Sequence, residues 1–131
     1  MNKLTEIPPE IGSLTELRNL GLSSNNLRTL PAELGQLKKL TNLNVCKNKK
    51  LTELPDLSSL KALDDLEISK TGISQLPLWL ATLPKLRRIW IGGSAITEVP
   101  DVFAKCKSIE FISVDKRQIK KPSPAVKKLL R

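Results

Sequence analysis

The sequence contains no histidine and no tyrosine, and aromatic residues make up only 3% of its 131 residues. Histidine is the usual acid–base group near neutral pH and a common metal ligand, so its absence removes the residue that most such sites need. The two cysteines, Cys46 and Cys106, are too few for a zinc site built from cysteine and histidine. We therefore expect a protein that is not an enzyme and has no catalytic residues, no cofactor and no metal.

Long hydrophobic runs are also absent, so the sequence predicts no transmembrane helix. The first residues lack the apolar segment of a secretory signal peptide. Cys46 and Cys106 fall on opposite sides of the repeat described below, too far apart for a disulfide. We expect a cytoplasmic protein; export by a route without a cleavable signal is the alternative.

One segment occurs five times at a constant spacing of 23 residues. Each copy contains an alternating Leu-x-Leu, which favours a short strand with one side buried. A Leu-x-x-Leu-Pro signal and a second Leu-x-x-Leu step accompany each copy, and spacings of three favour tight or 3₁₀ turns. An unbroken period of this length indicates one structural unit stacked on copies of itself. The copies begin at Leu17, Leu40, Leu63, Leu86 and Ile109.

The pattern Leu-x-x-Leu-Pro-x-x-Ile-x-x-Leu-x-x-Leu-x-x-Leu-x-Leu-x-x-Asn resembles the leucine-rich repeat family in its 23-residue intracellular form. Similar repeats occur in Ras-linked scaffolds, plant immune receptors and bacterial leucine-rich repeat proteins. The resemblance implies an α/β fold, a right-handed curved solenoid. Five short parallel strands would form its concave face, and short helical or 3₁₀ segments would form its convex face.

The family also implies a ladder of asparagine side chains that bond the backbone of neighbouring coils. Asn25 and Asn48 match the ladder position. Thr71 and Ser94 keep only a shorter hydroxyl there, and Arg117 departs from the pattern. We therefore expect a less regular ladder toward the C-terminal end.

A single domain, 1–131, is predicted. Residues 1–16 would form a partial N-terminal lid, 17–117 five strand-containing repeats, and 118–131 a capping half-repeat with a basic helix.

The array contains one irregularity, a one-residue insertion at Lys49 and Lys50 that a shortened segment at 55–57 cancels. We interpret it as a small bulge on the outer edge, because loops absorb such insertions at little cost.

The outermost strands, 17–22 and 109–114, would leave edges that could pair with another chain, although we expect a monomer.

Alternation of side chains places the non-leucine strand positions on the concave face. Along the array these positions change from small and polar to charged and aromatic, and Trp and Arg are the residues that dominate binding hot spots. The alternative for Trp90 is a ring lying flat against Arg88 or Phe111 that adds only stability. The predicted partner-binding residues are Asp65, Glu67, Arg88, Trp90 and Phe111.

A second apolar patch falls on the convex side, at Leu78, Trp79 and Val102. Exposed apolar residues are ordinary on protein surfaces, so we favour local packing between helical segments over a binding role.

The net charge of +9 is concentrated at the C-terminus, where seven basic residues and one acidic residue follow position 114. No aromatic residues are interleaved with these lysines, so base stacking has little support. Val126, Leu129 and Leu130 could instead reach a membrane interface, but the segment is short for that role. We favour a capping helix with a solvated basic face. The residues of the anionic-surface alternative are Lys120, Lys121, Lys127 and Lys128.

The sequence thus predicts a non-enzymatic module that binds a partner protein on its concave face. The alternative is a basic adaptor that binds nucleic acid or an acidic lipid surface through its C-terminal segment. Neither reading includes a small-molecule substrate.

Overall fold

Five short strands form one parallel sheet in chain order. The computed structural model describes residues 3–131, so residues 1 and 2 of the predicted lid lie outside the described part. Each strand residue pairs with the residue 23 positions later, as in Leu43 with Leu66. The predicted fold class, an α/β solenoid with five parallel strands and short 3₁₀ segments, is confirmed. The strands are β1 (Asn19–Gly21), β2 (Asn42–Asn44), β3 (Asp65–Glu67), β4 (Arg88–Trp90) and β5 (Phe111–Ser113).

The other side of the solenoid carries short 3₁₀ helices, each preceded by a proline in extended conformation. Proline suits this place because it has no N–H to leave unpaired and its ring fixes φ. The third coil, shortened by one residue, keeps only a turn in which the Leu60 N–H donates to the Leu57 carbonyl over 3.0 Å. The 3₁₀ helices are Pro9–Ser13, Ala32–Gln36, Leu78–Thr82 and Asp101–Lys105.

Most leucine positions point inward and form one continuous hydrophobic core, but Leu4 and Leu14 of the predicted N-terminal lid are 49% and 52% exposed. The central residue of each strand from β2 to β5 is almost fully buried, and Leu66 has no exposed surface. Phe103 and Val126 extend the same core to the C-terminal end. Because one coil alone has too small an apolar face, each coil is stabilised by burial against its neighbours.

Asn48 links the first two coils in the way that the repeat pattern predicts. Its side chain is fully buried, and its amide nitrogen donates to the carbonyls of Leu22 and Val45 over 3.0 and 2.8 Å. Its Oδ1 accepts from the Leu27 N–H over 3.1 Å. The Thr71 hydroxyl bonds only within its own coil: it donates to the Ile68 carbonyl and accepts from the Ile73 N–H. A threonine side chain is too short to reach the backbone of the neighbouring coil.

At the last coil the ladder resumes through a residue that the repeat pattern did not indicate. Gln118 donates from Nε2 to the carbonyls of Ile91 and Ile96, each over 2.9 Å, in the preceding coil. Arg117 occupies the ladder position of this coil but does not make these bonds. The longer side chain of Gln118 reaches the preceding coil from the next position in the sequence. The expected loss of regularity is therefore right at Thr71 and Ser94 but wrong at the final coil.

The insertion at Lys49 and Lys50 packs against Gly72 of the next coil. The Gly72 N–H donates to the Leu51 carbonyl over 2.8 Å. A Cβ added to Gly72 would lie 2.7 Å from the Lys49 carbonyl oxygen, closer than real side chains approach. Gly72 thus leaves the space that the inserted backbone occupies.

The C-terminal segment closes the far end of the solenoid. A short helix, α1 (Pro124–Lys127), buries Val126, and Ser123 accepts from the Val126 N–H at the start of this helix. The chain then turns onto the edge of β5, where Leu130 pairs with Ile112 in parallel orientation. The prediction of an open edge at 109–114 was wrong, because these last residues occupy it. The predicted cap is more than a helix, since it also supplies a rudimentary sixth strand.

We expect Gly72→Ala to destabilise the protein by about 1–3 kcal/mol, the usual cost of overpacking against backbone that cannot move away. Gly21→Ala is the matched control, because a Cβ there meets nothing within 4 Å. Urea unfolding followed by circular dichroism measures both. Equal stabilities of the two variants would contradict the close contact at the insertion.

Candidate functional site

All five predicted partner-binding residues lie on the open face of the sheet, on three neighbouring strands, and each is half-buried. Asp65, Arg88 and Phe111 stand directly opposite one another in one row. Glu67 and Trp90 stand opposite each other in the next row. We call these five residues the concave cluster.

Asp65 holds the concave cluster together. Its Oδ1 accepts a hydrogen bond from the Trp90 indole N–H over 3.0 Å. Its Oδ2 lies 3.6 Å from the Arg88 Nε, an ion pair too long for a hydrogen bond. One carboxylate therefore orients both the indole and the guanidinium.

Trp90 and Phe111 form an edge-to-face pair. The centroids of the two rings are 5.2 Å apart, and the ring planes meet at 88°. This T-shaped arrangement places the positive edge of one ring against the negative face of the other, a favoured geometry. The two rings are therefore not stacked in parallel, and their edge contact also contributes stability.

Asp64 and Asp65 are neighbours in sequence but have opposite electrostatic environments. Burial raises the pKa of Asp65 and outweighs the Trp90 hydrogen bond and the Arg88 charge, which act the other way. Asp64, just before the strand, binds Arg87 through two hydrogen bonds of 2.8 and 3.0 Å, and these lower its pKa. Asp64 is therefore a partner in a surface ion pair, whereas Asp65 is a carboxylate that lies partly out of water.

A small hollow of about 260 Å³ opens beside the concave cluster. Asp65, Glu67 and Trp90 line one side of it, and Asn42 and Asn44 of β2 line the other. Asn42 and Asn44 belong to the same two rows of the concave face, but the sequence does not mark them as binding residues because amides carry no charge and little contact surface.

The convex patch splits into exposed and packed parts. The Leu78 side chain is 61% exposed and that of Val102 is 42% exposed, while Trp79 packs against the core. Burial of the largest of the three side chains is consistent with the favoured interpretation of local packing. A binding role for the convex patch is untested.

The four lysines of the anionic-surface alternative are all exposed. The apolar residues of the same segment are not: Val126 is fully buried, and Leu129 and Leu130 pack against the core. The face that could have entered a membrane interface is therefore occupied in closing the solenoid. The four lysines are Lys120, Lys121, Lys127 and Lys128.

Two further observations concern the described residues. No helix within 3–131 has the length and apolar character needed to cross a bilayer. In the same range, no three side chains of Cys, Asp or Glu come close enough together to hold a metal ion.

The leucine-rich repeat family matches the sequence over residues 16–37. No curated protein matches the chain. Among solved structures, the leucine-rich repeat domain of the type III effector XopL shares 26% identity, with a TM-score of 0.83, over 98% of this chain and 47% of its own. An internalin, InlF from Listeria monocytogenes, shares 26% identity, with a TM-score of 0.81, over 99% of this chain and 38% of its own.

The plant peptide hormone receptor RGFR1, solved in complex with RGF2, is similar as well. It shares 27% identity, with a TM-score of 0.76, over 98% of this chain and 21% of its own. This chain thus spans less than half the length of each of these three structures. Its 23-residue coils, its parallel sheet and these neighbours agree on a leucine-rich repeat fold.

We expect Asp65→Asn and Asp64→Asn to change stability in opposite directions at neutral pH. The folded-state pKa of Asp65 is raised above the ordinary value of 3.8, so the folded state is penalised for the ionised carboxylate. An amide still accepts the Trp90 bond, and Asp65→Asn should stabilise the protein at neutral pH. This gain should disappear as the pH falls through the raised pKa and below 3.8.

Asp64 has a lowered folded-state pKa, so its ionised form adds stability above pH 3.8 that is lost as the pH falls through the lowered value. Asp64→Asn should therefore destabilise at neutral pH, and the loss should shrink in acid. Urea unfolding of wild type and both variants across this pH range measures the two differences. Differences of the same sign at neutral pH would contradict the assigned environments.

Proposed function

We propose that this protein is a non-enzymatic interaction module that binds a partner protein on its concave face, through Asp65, Glu67, Arg88, Trp90 and Phe111. The observation that carries the proposal is the concave cluster itself. Two of the few aromatic side chains contact each other on the open face of the sheet, next to a carboxylate and a guanidinium that are already oriented. Side chains in these positions contribute little to the hydrophobic core, so their chemistry is available to a partner.

Pre-arrangement favours binding at this surface. The Asp65 bond and the Phe111 contact restrict the Trp90 ring before any partner arrives. Ordering a free side chain on binding costs about 0.5–1.5 kcal/mol, and a ring that is already held avoids much of this cost. The rigid parallel sheet beneath extends the same advantage to the rest of the concave cluster.

The polar groups of the concave cluster leave bonding capacity for a partner. The Arg88 Nε is buried and has no hydrogen-bond partner among the described residues. That atom faces Asp65, but the Arg88 side chain is 36% exposed, so the outer nitrogens of its guanidinium can donate to a carbonyl or carboxylate of the partner. Asn42 and Asn44 add amide groups across the hollow. We infer that an extended segment of the partner enters here with an apolar side chain against Trp90 and Phe111.

The plant receptor RGFR1 is solved with the peptide hormone RGF2, so a similar fold holds a peptide in that protein. This precedent favours a protein or peptide ligand over the alternative of a basic adaptor. The alternative is also weakened by the capping role of Val126, Leu129 and Leu130, which leaves the C-terminal lysines without an apolar face beside them. A location inside the cell remains a prediction of the sequence.

We expect Trp90→Ala to weaken binding of the partner by about 2 kcal/mol or more, the scale of a hot-spot residue. The partner is first recovered by affinity purification with the wild-type chain, and its affinity for each variant is then measured by isothermal titration calorimetry. Trp79→Ala is the matched control, because it removes the other tryptophan, on the convex side. Its affinity should stay within about threefold of wild type, which corresponds to well under 1 kcal/mol.

The salt dependence of binding distinguishes a partner bound on the concave face from an anionic surface bound by the C-terminal lysines. Binding through Trp90 and Phe111 should weaken little between low and moderate salt, whereas binding through the C-terminal lysines should weaken steeply. Loss of binding with Trp79→Ala but not with Trp90→Ala, or a steep salt dependence that Trp90→Ala leaves unchanged, would exclude the concave assignment.

A further inference from the structure

Five lysines gather at one edge of the solenoid: one in the N-terminal segment before β1, three after β2 and one after β3. They line a groove of about 900 Å³ whose remaining lining comes from the turn after β1, at 24–26. None of the residues that line it is acidic. We call this feature the lysine groove; its lysines are Lys3, Lys47, Lys49, Lys50 and Lys70.

The repeat geometry explains why the lysines converge. Ser24, Lys47, Lys70 and Gly93 follow their strands at intervals of 23 residues, and all four have positive φ, between 55° and 73°. The same left-handed turn therefore recurs in the first four coils and places the Lys47 and Lys70 side chains at equivalent positions. The Lys70 side chain also passes over Gly93, where an added Cβ would lie 2.9 Å from the Lys70 Cγ.

The insertion in the second coil increases the charge at this place. The turn after β2 carries Lys47, Lys49 and Lys50, so the extra residue puts three ammonium groups in one loop. All five lysines of the groove are exposed. The ion pairs found within 3–131 involve Lys39, Arg87 and Arg88, so none of the groove lysines is neutralised by a carboxylate of the described chain.

We propose that the lysine groove binds an acidic peptide segment, a short run of Asp or Glu side chains on a partner protein. Positive charges that face one groove without counter-charges attract a ligand of opposite sign. Strands stack about 4.8 Å apart, so three coils cover about 10 Å, the length of roughly three to four extended residues. The acidic carboxylates would lie among the five ammonium groups, with the polar turn 24–26 beside them.

A nucleic acid fits the groove less well. The lining contains no aromatic residue and no arginine, so it offers neither a platform for base stacking nor the planar fork that pairs with phosphate in two bonds. A bilayer surface fits less well too, because the charges line a concavity and none of the lining residues is apolar. The lysine groove and the concave cluster share no residue, so either can function without the other.

The test uses a fluorescein-labelled short poly-glutamate peptide and measures its binding by fluorescence anisotropy. The groove variant carries Lys3→Gln, Lys49→Gln and Lys50→Gln, which avoid the positive-φ positions. The control variant carries Lys120→Gln, Lys127→Gln and Lys128→Gln, which remove the same number of charges from the C-terminal segment. Circular dichroism and thermal melts show that both variants fold.

The groove variant should bind the peptide roughly tenfold more weakly, the scale of three exposed charge pairs, and the control variant should lose less than about threefold. Trp90→Ala should leave peptide binding unchanged, which separates this inference from the proposed function. Equal losses in the groove and control variants would overturn the proposal, as would the absence of saturable binding at low salt. Tighter, groove-dependent binding of oligothymidylate or of phosphatidylserine vesicles would replace it with a nucleic-acid or membrane site.

Discussion

In-register parallel pairing at a fixed interval is the constraint on which the rest of the structure depends. Because Leu43, Leu66, Ile89 and Ile112 lie directly opposite their neighbours, every coil must return to the same place after the same length of chain. The hydrophobic core, the ladder of buried amides and the rows of the concave face all follow from that repetition. The one insertion is tolerated because a shorter following segment restores the interval and Gly72 makes room for the extra backbone.

The fold could be predicted from the sequence because the periodic leucines mark the residues that form the core. It also sufficed for the rows of the concave face. In a strand the two neighbours of a buried residue point to the opposite side of the sheet, and those two neighbours share that side. Asp65 and Arg88 were thus correctly placed as neighbours. Their bonds were not predictable, because the reach of Trp90 back to Asp65 depends on side-chain rotamers that no period encodes.

The remaining misses share a physical cause: they involve residues that leave the repeat. Gln118 continues the ladder from one position too late, and only its extra methylene makes that possible. Leu130 pairs with Ile112 although the chain after α1 shows no strand pattern, because an open edge of unpaired backbone groups favours any segment that can reach it. The sequence did not predict the lysine groove, because Lys3, Lys49 and Lys50 lie outside the repeated positions and turns carry no hydrophobic signal.

Two surfaces of different chemistry therefore lie close together, the lysine groove along the first three coils and the concave cluster from the third to the fifth. Asn44 lines the hollow beside the concave cluster, and Lys47 of the lysine groove follows it by three residues in the same coil. The concave cluster combines aromatic rings with a carboxylate partly out of water, so its contacts depend on shape and are little affected by salt. The lysine groove consists of exposed point charges, whose attraction reaches about 8 Å at physiological salt and mainly raises the rate of encounter. A partner that carries an acidic run next to an apolar anchor would be drawn by the lysine groove and retained by the concave cluster.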